Sequence, residues 1–390
     1  MRLAVVMNMI APYTTPVFER LSQHPDCDLL VVYETPMERD RRWRTESSLS
    51  FEHAILDSRA FDLSRLAVGS GFKTRFDTYL YLPKRPLAPL TRFRPDVVIG
   101  AGSGIWSSPA NVAALLARAR RKWAFVPWWG SFRRKRATWP RRLAEPWVRA
   151  FVRMADAWMA YGTRAARDLV ELGADPGRTV IAPIVAARTG SPIDAKGRRH
   201  PGGFRYLFVG RLIERKGIDI LLEAFRRVGG GELWIVGDGP LRSLVEVAAA
   251  SDRRIRVCGH LEGPELANVY ACASVLVLPS LYDVWGLVVD EALAQGIPVI
   301  ATEEVGSTAD LVDAGVNGLI IPPGSSERLA DTMRAVAQWT PEQRERCAER
   351  SHEKLESWSI DRAVDGFLRA SMLAADYRGS VARVHSSRAA

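Results

Sequence analysis

Long apolar runs are missing from this sequence: nothing in its 390 residues approaches the roughly 18 consecutive apolar positions of a membrane-crossing helix. A cleavable leader pattern is missing too. Met1-Arg2-Leu3-Ala4-Val5-Val6-Met7 turns polar at Asn8, so the expectation is a cytoplasmic protein. Cysteine is scarce, and Cys27, Cys258, Cys272 and Cys347 show no paired spacing. That excludes a disulfide scaffold and a thiolate metal site, and fits free thiols in a reducing compartment. Acids nearly vanish from one stretch: residues 101–150 hold eleven Lys and Arg against a single acid, Glu145.

What is there is ordinary for a globular chain, 47% hydrophobic and 25% charged, and its length predicts two domains. The charge is uneven. Residues 1–200 carry 33 Lys and Arg against 18 Asp and Glu, and the remainder carries 21 against 26, which together give the net +10. A basic first half calls for an anionic partner such as a membrane surface, a lipid phosphate or a nucleic acid.

Short apolar runs at Leu3–Met7, Leu29–Tyr33 and Val97–Gly100 read as strands, each followed by polar or helical sequence. This βα alternation predicts a parallel sheet, whose ligands gather beyond the carboxyl ends of its strands. The loops Ile10-Ala11-Pro12-Tyr13-Thr14-Thr15 and Gly100-Ala101-Gly102-Ser103-Gly104-Ile105 therefore face a ligand, with Tyr13, Thr14 and Ser103 as ligand-side candidates. The second loop lacks the third glycine of G-x-G-x-x-G, where Ile105 stands, and no acid follows about twenty residues later, which argues against a nicotinamide cofactor. Asp26-Cys27-Asp28 precedes a strand and reads as a solvated turn.

Trp123–Trp128 reads as another strand, ending in Pro127-Trp128-Trp129-Gly130. Arg133, Arg134, Lys135, Arg136, Trp139, Arg141, Arg142, Trp147 and Arg149 follow. Cations interleaved with indoles suit a lipid headgroup zone. The same composition also serves a nucleic acid, or a solvated helix with its tryptophans turned inward. Asp156–Tyr161 and Val180–Pro183 complete this half, and the Gly-, Pro- and Arg-rich segment Ala186–Gly203 reads as a linker.

The second half restarts the pattern. Phe204–Val209 leads into Gly210-Arg211-Leu212-Ile213-Glu214-Arg215-Lys216-Gly217 and a helix from Ile218 to Val228. Arg211 and Lys216 bracket this turn as two cations able to hold a diphosphate. Leu233–Val236 precedes the turn Gly237-Asp238-Gly239-Pro240-Leu241, and Ile255–Cys258 precedes Gly259-His260, where His260 reads as a loop histidine. The run Val275–Leu278 is halted by Pro279. The loop Ser280-Leu281-Tyr282-Asp283-Val284-Trp285 follows, then a helix from Gly286 to Gln295, closed by Gly296. Gly286 leaves the amides of Gly286, Leu287 and Val288 open to an anion at a helix N-terminus. Glu291 stands roughly 7 Å further along the helix, a spacing that suits phosphates at the tip and a hydroxylated ring beyond. Strands at Pro298–Thr302 and Gly318–Pro322 and a helix around Leu329–Trp339 close the domain.

Four segments taken in order carry a resemblance: Val209-Gly210-Arg211 with Lys216-Gly217, Val236-Gly237-Asp238-Gly239-Pro240-Leu241, Pro279-Ser280 through Glu291, and Asn317-Gly318-Leu319. Over about residues 204–325 they resemble the C-terminal half of the retaining glycosyltransferases of family four, GT-B enzymes that use nucleotide sugars. Ser357-Trp358-Ser359 resembles the start of that family's last helix. The N-terminal half resembles the family only in its strand-helix rhythm.

The resemblance implies an α/β GT-B fold: two Rossmann-like domains whose parallel sheets face a deep cleft, with a C-terminal helix crossing back to the first domain. The expected division is an acceptor domain over 1–187, a linker over 188–203, a nucleotide-sugar domain over 204–355, the returning helix over 356–376 and a flexible tail over 377–390. It further implies that Arg211 and Lys216 hold the diphosphate, with Gly210 beside them. Gly286, Leu287 and Val288 would bind the distal phosphate, Glu291 the ribose, Asp283 the sugar end, and Gly259 would frame the base. The expected co-substrate is a UDP- or GDP-linked sugar, with no metal and no other cofactor. The acceptor would be a glycan, a lipid-linked or a small molecule, and the basic 118–149 stretch would meet an anionic membrane rather than nucleic acid.

The sequence departs from that family at three places: Asp283 stands where glutamate is usual, paired glycines are absent near Ala11-Pro12, and Trp128-Trp129-Gly130 stands where many members place a histidine. Trp129 thus joins Tyr13, Thr14 and Ser103 as an acceptor-side candidate. Competing readings are a nucleotide-sugar epimerase on the same fold, a natural-product glycosyltransferase, and a nucleotide-sugar-binding protein without catalysis.

Overall fold

The computed structural model describes residues 1–37, 49–62, 79–101, 108–131, 139–186 and 203–389. The chain divides into two units, Met1–Val185 with Ser359–Ala390, and Ala186–Trp358. The segment expected as a linker lies almost wholly outside the described residues.

The first unit holds β1 (Arg2–Met7), β2 (Asp28–Tyr33), β3 (His53–Ile55), β4 (Ser58–Asp62), β5 (Tyr79–Pro83), β6 (Val97–Ala101), β7 (Ala124–Trp129), β8 (Trp158–Ala160) and β9 (Thr179–Ile181). Seven of these form a parallel sheet in the order β3-β2-β1-β6-β7-β8-β9, while β4 and β5 pair as a separate antiparallel ribbon. Burial explains why the main strands read as unbroken apolar runs: Val97–Ala101 and Ala124–Trp129 are buried at every position. The short β3 and β4 lack such runs, and neither they nor β5, whose Tyr79-Leu80-Tyr81-Leu82 is a short run of its own, were expected from the sequence.

The helix Ile360–Ala389 belongs to this unit and continues through the stretch expected as a flexible tail. Side chains anchor it at several points up to residue 378. Phe367 packs edge-on against Phe18 and Trp128, with centroids 6.0 and 4.9 Å away. Beyond residue 376, Arg178 lies over the Tyr377 ring at 3.6 Å, and Arg378 donates to the Arg118 carbonyl at 3.0 Å. Those two contacts hold the helix where its sequence is too polar to signal a docked element.

The second unit carries β10 (Arg205–Val209), β11 (Glu232–Val236), β12 (Ile255–Gly259), β13 (Val275–Leu278), β14 (Val299–Thr302) and β15 (Gly318–Ile321). They form one parallel sheet in the order β12-β11-β10-β13-β14-β15. The order runs outward from β10 in both directions, so the crossover point lies between β10 and β13, and loops leaving their carboxyl ends diverge to open a crevice. Likewise the first sheet reverses between β1 and β6. Among the described residues no helix is long and apolar enough to cross a membrane.

Candidate functional site

The reversal between β10 and β13 brings two loops together, Gly210–Gly217 and Pro279–Gly286. Leu281 N donates to Arg215 O at 2.8 Å, which fastens one loop to the other. Gly217 makes this approach possible: its φ is +67°, and a Cβ there would lie 2.3 Å from the Pro279 carbonyl oxygen. On the far side, Asp283 N donates to Glu304 O at 2.9 Å, Gly306 N to Asp283 O at 3.0 Å and Ser307 N to Trp285 O at 2.9 Å. The Trp285 indole stacks on Trp358 with centroids 5.4 Å apart and planes inclined by 10°. The loop is thus held by backbone bonds on both flanks and by an aromatic face.

Within this frame Lys216 Nζ donates to Asp283 Oδ2. Both side chains are only 12% exposed. Burial works to raise the Asp283 carboxyl, but the charges of Lys216 and Arg215, the Lys216 bond and the Trp285 amide outweigh it and hold the group below its ordinary range. Asp283 therefore stays ionised and holds Lys216 Nζ beside it. Gly210 lies close by, since a Cβ there would come within 3.8 Å of Lys216 Cε. Arg211 stands half-buried in the same loop.

The helix Leu287–Ala294 begins beside the ion pair. Gly286 precedes it at φ +85°, where a side chain would be strained and its Cβ would meet Val305 Cγ1 at 2.7 Å. The same Cβ position is 3.5 Å from Asp283 Oδ2, so the helix tip and the carboxylate share one small volume. The first-turn amides of Leu287 and Val288 have no intrahelical carbonyl to meet and point out of the tip. A cation, a carboxylate and free amides thus converge, an arrangement suited to a phosphate flanked by a polar group.

Further along, Glu291 Oε2 accepts from Tyr270 Oη at 2.6 Å. Burial pushes the Glu291 carboxyl up to about 7; the Tyr270 bond works against the rise, and the neighbouring Asp290 adds to it. At the end of β12, Gly259 has φ +70° and open space where a side chain would project, and its carbonyl accepts from Gly237 N at 2.7 Å. His260 bonds Glu262 across 3.0 Å in an exposed loop, as a loop histidine does.

The acceptor-side candidates fare differently. Tyr13 is half-buried near the end of the loop after β1, two residues before the helix Thr15–Ser22. Thr14 is buried, and its hydroxyl donates to Ala11 O at 3.0 Å, bracing its own turn. Ser103 lies outside the described residues. Trp129 requires a correction: it is 4% exposed, belongs to the core of the first unit, and its Nε1 donates to Asp168 Oδ2 at 3.4 Å. Trp128 is turned inward as well, with Nε1 donating to Ala182 O at 3.0 Å. Parallel-sheet strands bury both faces, so neither indole is offered to a ligand.

Two groups were missed by the sequence reading. Tyr270, on the helix Gly263–Cys272, is the partner of Glu291. Glu34 directly follows β2, is fully buried, and accepts from Ser108 Oγ at 2.9 Å and Ala110 N at 3.0 Å at the start of the helix Pro109–Arg121. Burial pushes its carboxyl up to about 7, against the pull of those two donors. An acid placed immediately after a buried strand was the available signal for Glu34. No group of three or more His, Cys, Asp or Glu suited to a metal occurs among the described residues.

Two family models match the chain. Residues 203–338 fit the model described as Glycosyl transferases group 1, and residues 21–184 fit the Glycosyl transferase 4-like domain. A lipopolysaccharide core biosynthesis glycosyltransferase, LpsE of Rhizobium meliloti, is 34% identical over 167 residues, 41% of this chain and 47% of the relative. The chain spans less than half the length of the first curated relatives it matches. Among solved structures, Alr3699/HepE of Anabaena in complex with UDP aligns with 99% of this chain and 100% of its own, at TM-score 0.68 and 15% identity. WaaG, a glycosyltransferase involved in lipopolysaccharide biosynthesis, aligns over 95% and 99% at TM-score 0.61 and 16% identity. At those identities the likeness establishes the fold: this chain has the GT-B fold, with two Rossmann-like units.

Proposed function

We propose that this chain, whose two units match the Glycosyl transferase 4-like domain and the Glycosyl transferases group 1 models, is a retaining glycosyltransferase. It moves a hexosyl or N-acetylhexosaminyl group from a UDP- or GDP-linked donor to an acceptor hydroxyl. The observation that carries this reading is the Lys216–Asp283 ion pair set against the Gly286 helix tip at the crossover of a parallel sheet. The UDP named for the Anabaena structure supports the donor class, and the lipopolysaccharide role named for the Rhizobium meliloti relative supports an acceptor in cell-envelope glycan or glycolipid synthesis.

The bond between the sugar C1 and the diphosphate oxygen breaks, and its electron pair leaves with the nucleoside diphosphate. Lys216, Arg211 and the Leu287 and Val288 amides meet the charge that develops there, so they act most strongly at the transition state. No metal is required in this account. The acceptor hydroxyl attacks C1 from the same face and passes its proton to the departing phosphate oxygen, which preserves the anomeric configuration. Asp283 holds Lys216 in place and lines the sugar end, Glu291 accepts from the ribose hydroxyls, and Gly259 leaves room for the base. The first unit takes the acceptor, with Tyr13 beside it. Trp147, 71% exposed on the helix Trp139–Met154, and the basic residues around it rest on an anionic membrane face.

Proton NMR of the product formed from an α-linked donor tests the reaction. An α-glycoside is expected. A β-glycoside would contradict retention, and an epimerised donor formed without any acceptor would support the epimerase reading instead.

A further inference from the structure

The residue that prepares Glu291 for its ligand lies 21 positions earlier in the chain, on a different helix. Tyr270 is 3% exposed and sits near the end of the helix Gly263–Cys272, whose last turn is closed by Ala273 N donating to Tyr270 O at 3.0 Å. Its phenol is therefore fixed by its own backbone and by burial. From that position Oη donates to Glu291 Oε2 at 2.6 Å. Among the described residues this is the one hydrogen bond made by the Glu291 carboxylate, and it engages one oxygen while leaving Oε1 to an incoming group.

A glutamate side chain without a fixed partner samples several rotamers, and freezing it when a ligand arrives costs entropy. A short bond from a buried phenol removes that freedom beforehand. It also favours the ionised carboxylate, which is the form able to accept from two vicinal hydroxyls; a protonated carboxyl would present a donor to one of them. The surroundings of the carboxyl otherwise favour protonation, because burial and the adjacent Asp290 both push in that direction.

We infer that Tyr270 is a positioning residue for nucleotide recognition: its hydroxyl orients Glu291 so that Oε1 and the shared Oε2 can read a cis-diol on a ribose. This rests on the proposed nucleotide-sugar reading and deepens it, since it assigns recognition of the diol to a Tyr–Glu pair instead of a lone acid. Tyr270 touches no reacting atom, so its effect falls on donor affinity and not on turnover at saturation.

The experiment is calorimetric titration of the full chain with UDP, GDP and the 2′-deoxy form of whichever binds, at several values between pH 6 and 9. Wild type, Tyr270→Phe, Glu291→Gln and the double variant are compared. Wild type is expected to prefer the ribonucleotide and to lose affinity as pH falls through about 7, where Glu291 protonates. Tyr270→Phe removes one oxygen and keeps the ring. It should weaken ribonucleotide binding roughly tenfold at pH 7, as loss of a hydrogen bond to a charged group does. It should also shift the affinity loss to higher pH and leave kcat at saturating donor nearly unchanged. On the Glu291→Gln background the same change should have little further effect, which a merely structural tyrosine would not show. An unchanged pH profile and unchanged deoxy discrimination in Tyr270→Phe, in a wild type that binds the nucleotide, would overturn this inference alone. Failure of wild type to bind any nucleoside diphosphate would overturn it together with the functional reading beneath it.

Discussion

Lys216 and Asp283, 67 positions apart in the chain, meet as an ion pair where the loops leaving β10 and β13 converge, each side chain only 12% exposed. The pair exists because strand order places β10 beside β13, and because Gly217 lets the two loops touch at Pro279.

Breaking that pair from the acid side has two separable consequences. Asp283→Ala leaves a largely buried ammonium without its counter-charge, a change that costs about 3 kcal/mol when a buried partner is removed. Transfer is expected to be lost as Lys216 swings out of register. Asp283→Glu restores the charge with one extra methylene, so activity should be largely kept. Urea unfolding and initial-rate assays on the two variants check this, and equal loss in both would show that the crevice is fitted to aspartate.

Much of this arrangement was legible in the sequence, for identifiable reasons. Val275–Leu278 and Val97–Ala101 are buried on both faces, so burial writes itself as continuous apolar runs. Gly217 and Gly286 adopt backbone angles that favour glycine, and glycine is visible in a sequence. What stayed hidden depends on long-range contact. The Tyr270–Glu291 bond joins two helices, and the docking of Arg378 on the Arg118 carbonyl joins segments 260 residues apart. Trp129 misled because an indole at a strand end looks the same whether it faces a ligand or, as here, the core.

Glu34 carries a stability prediction with a definite sign. Its folded pKa is raised from 4.5 to about 7, chiefly by burial, so the folded state holds a proton that the unfolded chain would release. Stability is greatest below the unfolded value and falls as pH rises through about 7, by on the order of 3 kcal/mol for a shift of that size. Glu291 contributes with the same sign. Glu34→Gln keeps an oxygen for Ser108 and Ala110 but cannot ionise. Its denaturant midpoints between pH 5 and 8 should therefore vary less than those of wild type; an unchanged slope would place the ionisation elsewhere.

The proposed membrane contact is open to a direct assay. Trp147 is 71% exposed on a helix that also carries Arg149 and Arg153. Co-sedimentation with phosphatidylglycerol vesicles should exceed that with phosphatidylcholine vesicles, fall with added salt, and drop several-fold in Trp147→Ala. Equal partitioning onto both vesicle types would remove the anionic surface from the account.

The central claim is that the crossover between β10 and β13 binds a nucleoside diphosphate through Lys216, Arg211 and the amides beyond Gly286. Titrating UDP and GDP into wild type and Lys216→Ala by calorimetry addresses it most directly. The account predicts saturable binding of one nucleotide by wild type, and at least tenfold weaker binding by the variant, in keeping with loss of a charge-assisted contact. Equal affinity in both proteins would contradict it.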